Sequence, residues 1–529
     1  MEYTPIPNIQ TRIVSINADH PNRILYTMNH KAPQIHDVYV LDLNTMGSDL
    51  VVSNDIGAVS WIADHSLTVR IGIIPLRNGN IKMMHRMDAD SEWEAEMEWG
   101  PEDALNTHPY AFAKDNQTLY MLSSVGSNTV ELRSYNLLTK ETMVIASDPE
   151  YDLSGVMIDP ITFDIQAVKF VRERVEWKLI DLSIKDHLEA ISGLQRGDFS
   201  VIDRDMNGKL WIVSFISDDS PLAYYTYNPQ TKEGKPLFSS NNKLDKRKLA
   251  QTEALRFNTR DGQSLLCYFT KSLKSEDEIP PAMVYVHDGP WTRDTWGMDP
   301  TVQWLADRGY SVLQVNFRGS SGFGKAFQNA GNKEWGGKMQ DDITDAVSNL
   351  VEQNLADPKR IGIIGMSYGG FAVLSGLTKT PDLFACGVDL FGPSNLISWI
   401  KYLPQRMKGS LPILLQRIGK PSEDREMMID RSPISHFDQL MVPLMIVQGE
   451  NDKRVPKDET ELIIKTLKSQ GRTVEYMGFP DEGHGFSRLE NKLTCFANIE
   501  KFLAEHLGGE SESFSMTISI GNDDKDDEH

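Results

Sequence analysis

The sequence predicts a two-domain protein, in which an all-β domain of repeated units is followed by an α/β domain with a largely parallel sheet. Three observations support this fold class. The 529 residues are more than one compact core usually holds. Before residue 241 the chain alternates short strand-like runs with turns, and after residue 255 apolar strands alternate with helical stretches.

The first domain, residues 1–241, contains strand-like runs such as DVYVLDLN, TLYMLSS and LWIVSFIS with turn residues between them. Units of about 40 to 50 residues, the size of one four-stranded propeller blade, begin near Asn8, Gly57, Thr107, Asp152 and Phe199. The pattern predicts a β-propeller-like domain of about five blades, with a β-sandwich pair as the competing architecture. The polar and basic segment 242–254 is predicted to link the domains.

In the second domain, apolar runs such as AMVYVH, RIGIIGM and PLMIVQG predict parallel strands that helices cover on both faces. The clearest helix follows Asp341, and Asp341 and Asp342 are expected to favour the positive end of its dipole. A last helix is predicted over residues 491–507. The polar, acidic tail 509–529 is predicted to be disordered.

A candidate nucleophile lies in GMSYGG, which places Ser367 in a G-x-S-x-G frame between the strand RIGII and the helix-forming run FAVLSGL. This context is typical of the strand-to-helix turn of an α/β-hydrolase, which exposes the serine hydroxyl at the edge of the sheet. Gly365 and Gly369 permit the tight backbone of such a turn. The sequence therefore predicts a C-terminal α/β-hydrolase domain, residues 255–508, preceded by the all-β propeller-like domain.

A serine nucleophile needs a base and an acid that orients the base. In this fold they follow in the order serine, acid, histidine. Asp452 comes just after the strand PLMIVQG, and His484 comes after the next strand, in DEGHGF. Both are expected on loops at the carboxyl edge of the sheet, and Asp389 and Glu450 are the alternative acids.

Composition excludes several other functions. A formal charge of −21 argues against nucleic acid and anionic membranes as partners, and no apolar run is long enough to span a bilayer. The N-terminal segment lacks the features of a signal peptide, so the chain as written is expected to be cytoplasmic, whereas a truncated N-terminus would hide an export signal. The widely spaced Cys267, Cys386 and Cys495 are predicted to be buried reduced thiols.

No cofactor or metal is expected. Residues 319–325, GSSGFGK, match a phosphate-loop frame, but Ala326 stands where a serine or threonine would bind Mg²⁺. The acidic run DADSE lacks the glycine and the distal glutamate of a calcium loop. The histidine and cysteine spacings do not suggest zinc.

The second domain resembles the prolyl oligopeptidase family of serine peptidases, on its acylaminoacyl-peptidase-like side, through VHDGPW, VNFRGSSGFGKAF, IGIIGMSYGG, FACGVDLFGPSNL and FPDEGHGF. The resemblance implies a propeller ahead of the hydrolase domain and short peptide substrates that reach a site between the two domains. It also implies an acyl-enzyme on Ser367, with His484 as the base and Asp452 as the orienting acid. An esterase on the same fold and a non-catalytic propeller binding protein are the alternatives, and no oligomeric state is predicted.

The resemblance further implies an oxyanion hole that combines the backbone N–H of Tyr368 with that of Asp288 or Gly289. By family position, Phe371 and Trp399 either line an apolar specificity pocket or pack in the core.

Two features depart from the family pattern. Family propellers usually have seven or eight blades, so five imply either a truncated chain or a reduced propeller. Asp288 stands where relatives commonly have glycine, and its carboxylate is expected to point away from the oxyanion or to pair with a cation, such as a free peptide N-terminus or a basic side chain.

Overall fold

The computed structural model describes residues 9–205, 207–274 and 279–513. The predicted disordered tail therefore lies outside the described residues from position 514 onward. Residues 509–513 are described, and there the backbone N–H of Glu510 donates to the carbonyl of Arg308 (2.9 Å). None of the helices in the described part of the chain combines the length and the apolar content that a bilayer crossing requires.

Over its described residues, the first domain is a β-propeller with five successive antiparallel sheets, each formed by strands that neighbour one another in sequence. The prediction of about five blades is confirmed. The strands of the five blades, in chain order, are β1 Thr11–Ile16, β2 Arg23–Ala32, β3 Ile35–Asp42 and β4 Ser48–Val52; β5 Ser60–Ala63, β6 Val69–Pro75, β7 Ile81–His85 and β8 Glu94–Trp99; β9 His108–Phe112, β10 Thr118–Ser123, β11 Glu131–Asn136 and β12 Thr142–Ala146; β13 Leu153–Ile158, β14 Ile165–Val171 and β15 Val175–Leu179; β16 Asp198–Arg204, β17 Trp211–Ile216, β18 Ala223–Asn228 and β19 Glu233–Ser239.

Neighbouring blades pack face to face through alternate side chains of their strands. In β7, for example, Ile81 and Met83 are buried while Lys82 between them is partly exposed, as the two-residue period of a strand requires. Met83 shares an apolar cluster with Phe112 and Leu119 of the third blade. The fourth blade has three strands in its sheet, and a helix, α1 Lys185–Ser192, follows β15.

In the part of the second domain that the structure describes, there is one eight-stranded sheet, in the order β20-β21-β23-β22-β24-β25-β26-β27. Strands β20 and β21 pair antiparallel, and strands β22 to β27 pair in parallel. The strands are β20 Thr252–Asn258, β21 Ser264–Thr270, β22 Ala282–Val286, β23 Ser311–Val315, β24 Ile361–Met366, β25 Cys386–Leu390, β26 Leu444–Gly449 and β27 Val474–Phe479. The helices are α2 Pro300–Asp307, α3 Gly324–Asn329, α4 Lys338–Glu352, α5 Tyr368–Lys379, α6 Leu396–Lys401, α7 Leu411–Ile418, α8 Arg425–Asp430, α9 Lys457–Ser469 and α10 Leu489–Leu507.

Helices cover both faces of this sheet and create two apolar cores. One core contains α4 and α5, and the other contains α2 and α10. Cys267 lies in the first core, and Cys386 and Cys495 lie in the second, all three as buried free thiols. The fold class predicted from the sequence is confirmed. Strand β20 begins at Thr252 and so includes the last three residues of the segment predicted as linker, because it pairs along its length with β21.

The glycine-rich segment GSSGFGK forms part of the contact between the two domains. The backbone N–H groups of Gly322 and Gly324 donate to one oxygen of Asp152, at 3.1 and 3.2 Å. Asp152 precedes β13, the first strand of the fourth blade. Lys325 pairs with Asp103 of the propeller (2.7 Å). The segment thus holds a carboxylate of this chain at N–H groups that a phosphate loop would use for a nucleotide.

Candidate active site

Ser367 occupies the sharp turn between β24 and α5, with φ of 56° and ψ of −113°. Non-glycine residues seldom adopt positive φ, and such strain at a functional site persists because the surrounding structure maintains it. The flanking glycines explain how the turn closes. A Cβ at Gly365 would lie 2.5 Å from the carbonyl carbon of Gly369, and a Cβ at Gly369 would lie 2.3 Å from the carbonyl oxygen of Val286. Larger residues would therefore displace the serine.

His484 connects Ser367 to Asp452. Its Nε2 is 3.0 Å from Ser367 Oγ, and its Nδ1 is 2.7 Å from Asp452 Oδ2. The second oxygen of Asp452 accepts the backbone N–H groups of Arg454 (2.7 Å) and Val455 (3.1 Å). The side chain of Asp452 has no exposed surface, and that of His484 is 11% exposed. The carboxylate is therefore fixed on both oxygens, and it holds the imidazole in one orientation.

The two alternative acids have other partners. Asp389 is buried, and its Oδ1 accepts the backbone N–H of Gly392 at 2.8 Å. Burial raises the pKa of Asp389 to about 8, so that this side chain is largely protonated at neutral pH. Glu450 pairs with Lys457 at 2.9 Å.

The predicted oxyanion donors converge on a single atom. The backbone N–H groups of Gly289 and Tyr368 both donate to Oδ1 of Asp288, at 2.6 and 3.3 Å. Tyr368 is the first residue of α5, so its N–H also lies at the positive end of a helix. Of the two predicted partners for Tyr368, the structure thus brings the N–H of Gly289 to the same point.

A buried histidine, His287, fixes the backbone of the loop that carries Asp288. The carbonyl of Asp288 accepts the Thr292 hydroxyl (2.6 Å) and lies 2.8 Å from Nδ1 of His287. Burial lowers the pKa of His287 to about 4, so the ring is neutral at physiological pH. Nδ1 then carries the proton, and Nε2 accepts from Ser320 at 3.0 Å.

The two predicted pocket residues differ in exposure. Phe371 has no exposed surface, whereas Trp399 is partly exposed. Both rings lie against Trp335, which was not predicted; its centroid is 5.3 Å from that of Phe371 and 5.6 Å from that of Trp399. Trp335 also contacts the Tyr368 ring, 4.6 Å away. In this conformation Phe371 offers no surface to a substrate, because its position on α5 faces the core.

Sequence reasoning also missed Glu482, two residues before His484. Its buried carboxylate accepts the N–H (2.8 Å) and the hydroxyl (2.6 Å) of Ser487, the N–H of Arg488 (3.0 Å) and the amide of Asn491 (2.9 Å). Burial alone would raise the pKa of Glu482, but these hydrogen bonds outweigh it and lower the pKa to about 2. The carboxylate therefore ties the loop of His484 to the start of α10. The sequence feature that could have identified Glu482 is its position in DEGHGF, two residues before the predicted base.

Comparison with known proteins gives similarity along nearly the whole chain. Residues 296–510 match the sequence profile described as the prolyl oligopeptidase family. Dipeptidyl aminopeptidase BIII of Pseudoxanthomonas mexicana is 38% identical over 538 aligned residues, which cover 99% of this chain and 78% of that protein. Dipeptidyl peptidase family member 6 of Caenorhabditis elegans is 31% identical, with 96% and 73% covered. A solved puromycin-hydrolyzing peptidase of Mycobacterium tuberculosis superposes with a TM-score of 0.79 at 19% identity, over 96% of this chain and 80% of that one, and shares the fold.

Proposed function

Because the chain belongs to the prolyl oligopeptidase family and is a serine peptidase that acts on oligopeptides, we propose that Ser367, His484 and Asp452 are its catalytic triad. We also propose that it releases dipeptides from free amino termini. The observation that supports the triad is the hydrogen-bond chain from Ser367 Oγ through His484 to Asp452. The preference for dipeptides is supported by the names of two relatives that align along almost the whole chain.

The reaction begins when Ser367 Oγ attacks the scissile carbonyl carbon and His484 Nε2 takes the hydroxyl proton. Negative charge then develops on the carbonyl oxygen, where the N–H groups of Tyr368 and Gly289 donate to it. His484 passes the proton to the leaving amine, and the acyl group remains on Ser367. Water next attacks the acyl-enzyme with His484 as the base, which releases the dipeptide and restores the serine. Asp452 accepts the Nδ1–H of His484 throughout, both from the neutral ring and from the imidazolium that forms when Nε2 takes the proton.

The propeller limits the length of the substrate in this proposal. The loops that contact it, around Arg293 and Gly322, follow strands β22 and β23 of the sheet whose carboxyl edge carries the triad. Arg293 donates to the propeller carbonyls of Val171 (2.8 Å) and Arg172 (3.1 Å). A site covered in this way admits short peptides more readily than folded proteins.

Peptide p-nitroanilides of one, two and three residues, each with a free and an acetylated amino group, test this function. We expect the highest kcat/KM for the free dipeptidyl substrate, with a dipeptide identified by mass spectrometry. The Ser367→Ala variant should be inactive on every substrate. Activity confined to acetylated single residues would instead identify an acylaminoacyl peptidase, and full activity of Ser367→Ala would refute the triad.

A further inference from the structure

The side chain of Asp288 occupies the point at which the two proposed oxyanion donors converge. Its Oδ1 accepts N–H groups from Gly289 at 2.6 Å and from Tyr368 at 3.3 Å. A carboxylate oxygen carries the same kind of charge, and accepts the same hydrogen bonds, as the oxyanion of a tetrahedral intermediate. While Oδ1 lies there, the carbonyl oxygen of a substrate has no donors available.

The carboxylate can leave without moving the loop. The carbonyl of Asp288 is fixed by Thr292 and by buried His287, whereas Asp288 itself is exposed. Rotation of the side chain therefore suffices to free the two N–H groups. Within the part of the chain whose side chains are described, no lysine, arginine or histidine forms an ion pair with Asp288.

We propose that Asp288 is a specificity-determining residue: its carboxylate closes the oxyanion hole of the free enzyme and leaves it for substrates with a free α-ammonium group. This inference rests on the proposed function, because it requires Ser367 as the nucleophile and Tyr368 and Gly289 as the oxyanion donors. Leaving the hole breaks two hydrogen bonds to a charged acceptor. An ammonium group beside the rotated carboxylate compensates for that loss, and an acetylated amino group does not.

A matched pair of substrates tests the proposal, alanyl-alanine p-nitroanilide and its N-acetyl derivative. In Asp288→Gly, the kcat/KM for the acetylated substrate should rise about tenfold, because every molecule then has an open hole. The kcat/KM for the free substrate should change much less, because loss of the ion pair offsets the opening. The preference for the free substrate should therefore fall about tenfold.

Two further variants test whether the effect depends on the charge of Asp288, as opposed to the shape of its side chain or to the overall negative charge near the site. Asp288→Asn retains an oxygen that accepts both N–H groups but carries no charge, so its preference should lie between those of the wild type and Asp288→Gly. Asp481 is an exposed residue of the His484 loop, and its carboxylate pairs with Arg488. Asp481→Asn removes a charge near the site without changing the oxyanion hole, so this variant should keep the wild-type preference. If Asp288→Asn behaves as the wild type, or if Asp288→Gly changes both substrates in equal proportion, the proposal is wrong. If an acetyl-lysyl-alanine substrate were cleaved as well as the free peptide, the proposal would also be wrong. Asp288 would then pair with a basic side chain of the substrate and not with its α-ammonium group.

A fluorophosphonate distinguishes failure of this inference from failure of the proposed function. The reagent is neutral, and its phosphoryl oxygen needs the same hole, so Asp288→Gly should be inactivated about tenfold faster than the wild type. If the wild type is modified at Ser367 and both proteins react at the same rate, the role of Asp288 fails while the triad stands. If Ser367 of the wild type is not modified, the proposed function itself fails.

Discussion

Asp389 lies one residue before the end of β25, and Asp452 follows the neighbouring strand β26. The surroundings of the two carboxyl groups nevertheless give them different partners. Chain order and loop position were sufficient to predict Ser367, Asp452 and His484 as candidates. The serine motif places Ser367 at the carboxyl edge of the parallel sheet, so its partners had to lie on loops that follow later strands at the same edge. The contact of the Asp288 side chain was not predictable, since it depends on a rotamer. The burial of Phe371 depends on which helical face meets the core, and one sequence does not reveal that.

Replacing Asp452 by Asn should retain the fold and lower kcat by about 10⁴, the loss known for the equivalent change in a protease triad. An amide donor opposite Nδ1 would favour the wrong tautomer of His484. Steady-state hydrolysis of a peptide anilide, with circular dichroism as a check of folding, measures this effect. Asp389→Asn is the matched control, and a large loss there with a small one at Asp452 would reassign the acid.

Asp389 should also make stability depend on pH. Its pKa is about 8 in the folded chain, against an ordinary value of about 3.9 in unfolded chains. Between those values the folded state keeps a proton that the unfolded state has lost, so the free energy of unfolding should fall as pH rises from about 4 to about 8. Asp389→Asn removes this contribution, and urea unfolding at pH 5 and pH 8 should show a shallower decline. Identical pH dependence in the two proteins would contradict the assignment.

At the scale of single elements, the apolar periodicity located helices better than it located their ends. The helix expected after Asp341 begins earlier, at Lys338, and its residue Asp342 is buried against Arg318 (2.6 Å) instead of serving the helix dipole. The last helix begins at Leu489, close to the predicted position. An ion pair between distant residues such as Arg318 and Asp342 has no local signature, so the pattern of one segment could not predict it.

The loop of His484 depends on Glu482, and Glu482→Gln should reduce kcat about tenfold or more with little change in KM. The amide keeps the shape of the side chain but weakens the hydrogen bonds from Ser487 and Arg488, so the imidazole loses its fixed position. Inactivation by a fluorophosphonate should slow by a similar factor. A variant that is only less stable would still be folded below its melting temperature and would react at the wild-type rate. Asp481→Asn, one residue away, serves as the control. An unchanged kcat in Glu482→Gln would remove this positioning role.

For the molecule as a whole, the repeat length predicted the number of blades, because each blade is one local unit of antiparallel strands. The three-stranded sheet of the fourth blade was not predictable from that repeat. Contacts between the domains were also not predictable, since they join residues such as Asp152 and Gly322 that lie 170 positions apart. Those contacts join the propeller to the catalytic domain.

Asp152→Ala should loosen the contact between the domains, because the N–H groups of Val130, Gly322 and Gly324 lose their acceptor. We expect a lower melting temperature and a higher kcat/KM for peptides of about 15 residues relative to dipeptidyl anilides. Asp115→Ala is the matched control, since Asp115 caps an exposed turn within the third blade through Gln117 and Thr118. If both variants show the same ratio of long to short substrates, the contact does not control access.

The three buried cysteines can be used to measure local opening of the catalytic domain. Cys267, Cys386 and Cys495 all lie in the hydrolase sheet or its helices, and burial raises the pKa of each thiol well above its ordinary value. Alkylating reagents attack thiolates, so these sulfurs should react only when the surrounding core opens. The sequence has no other cysteine. The rate of labelling by iodoacetamide therefore follows opening of the hydrolase domain alone, and comparison with tryptophan fluorescence, which reports both domains, tells whether the propeller opens first.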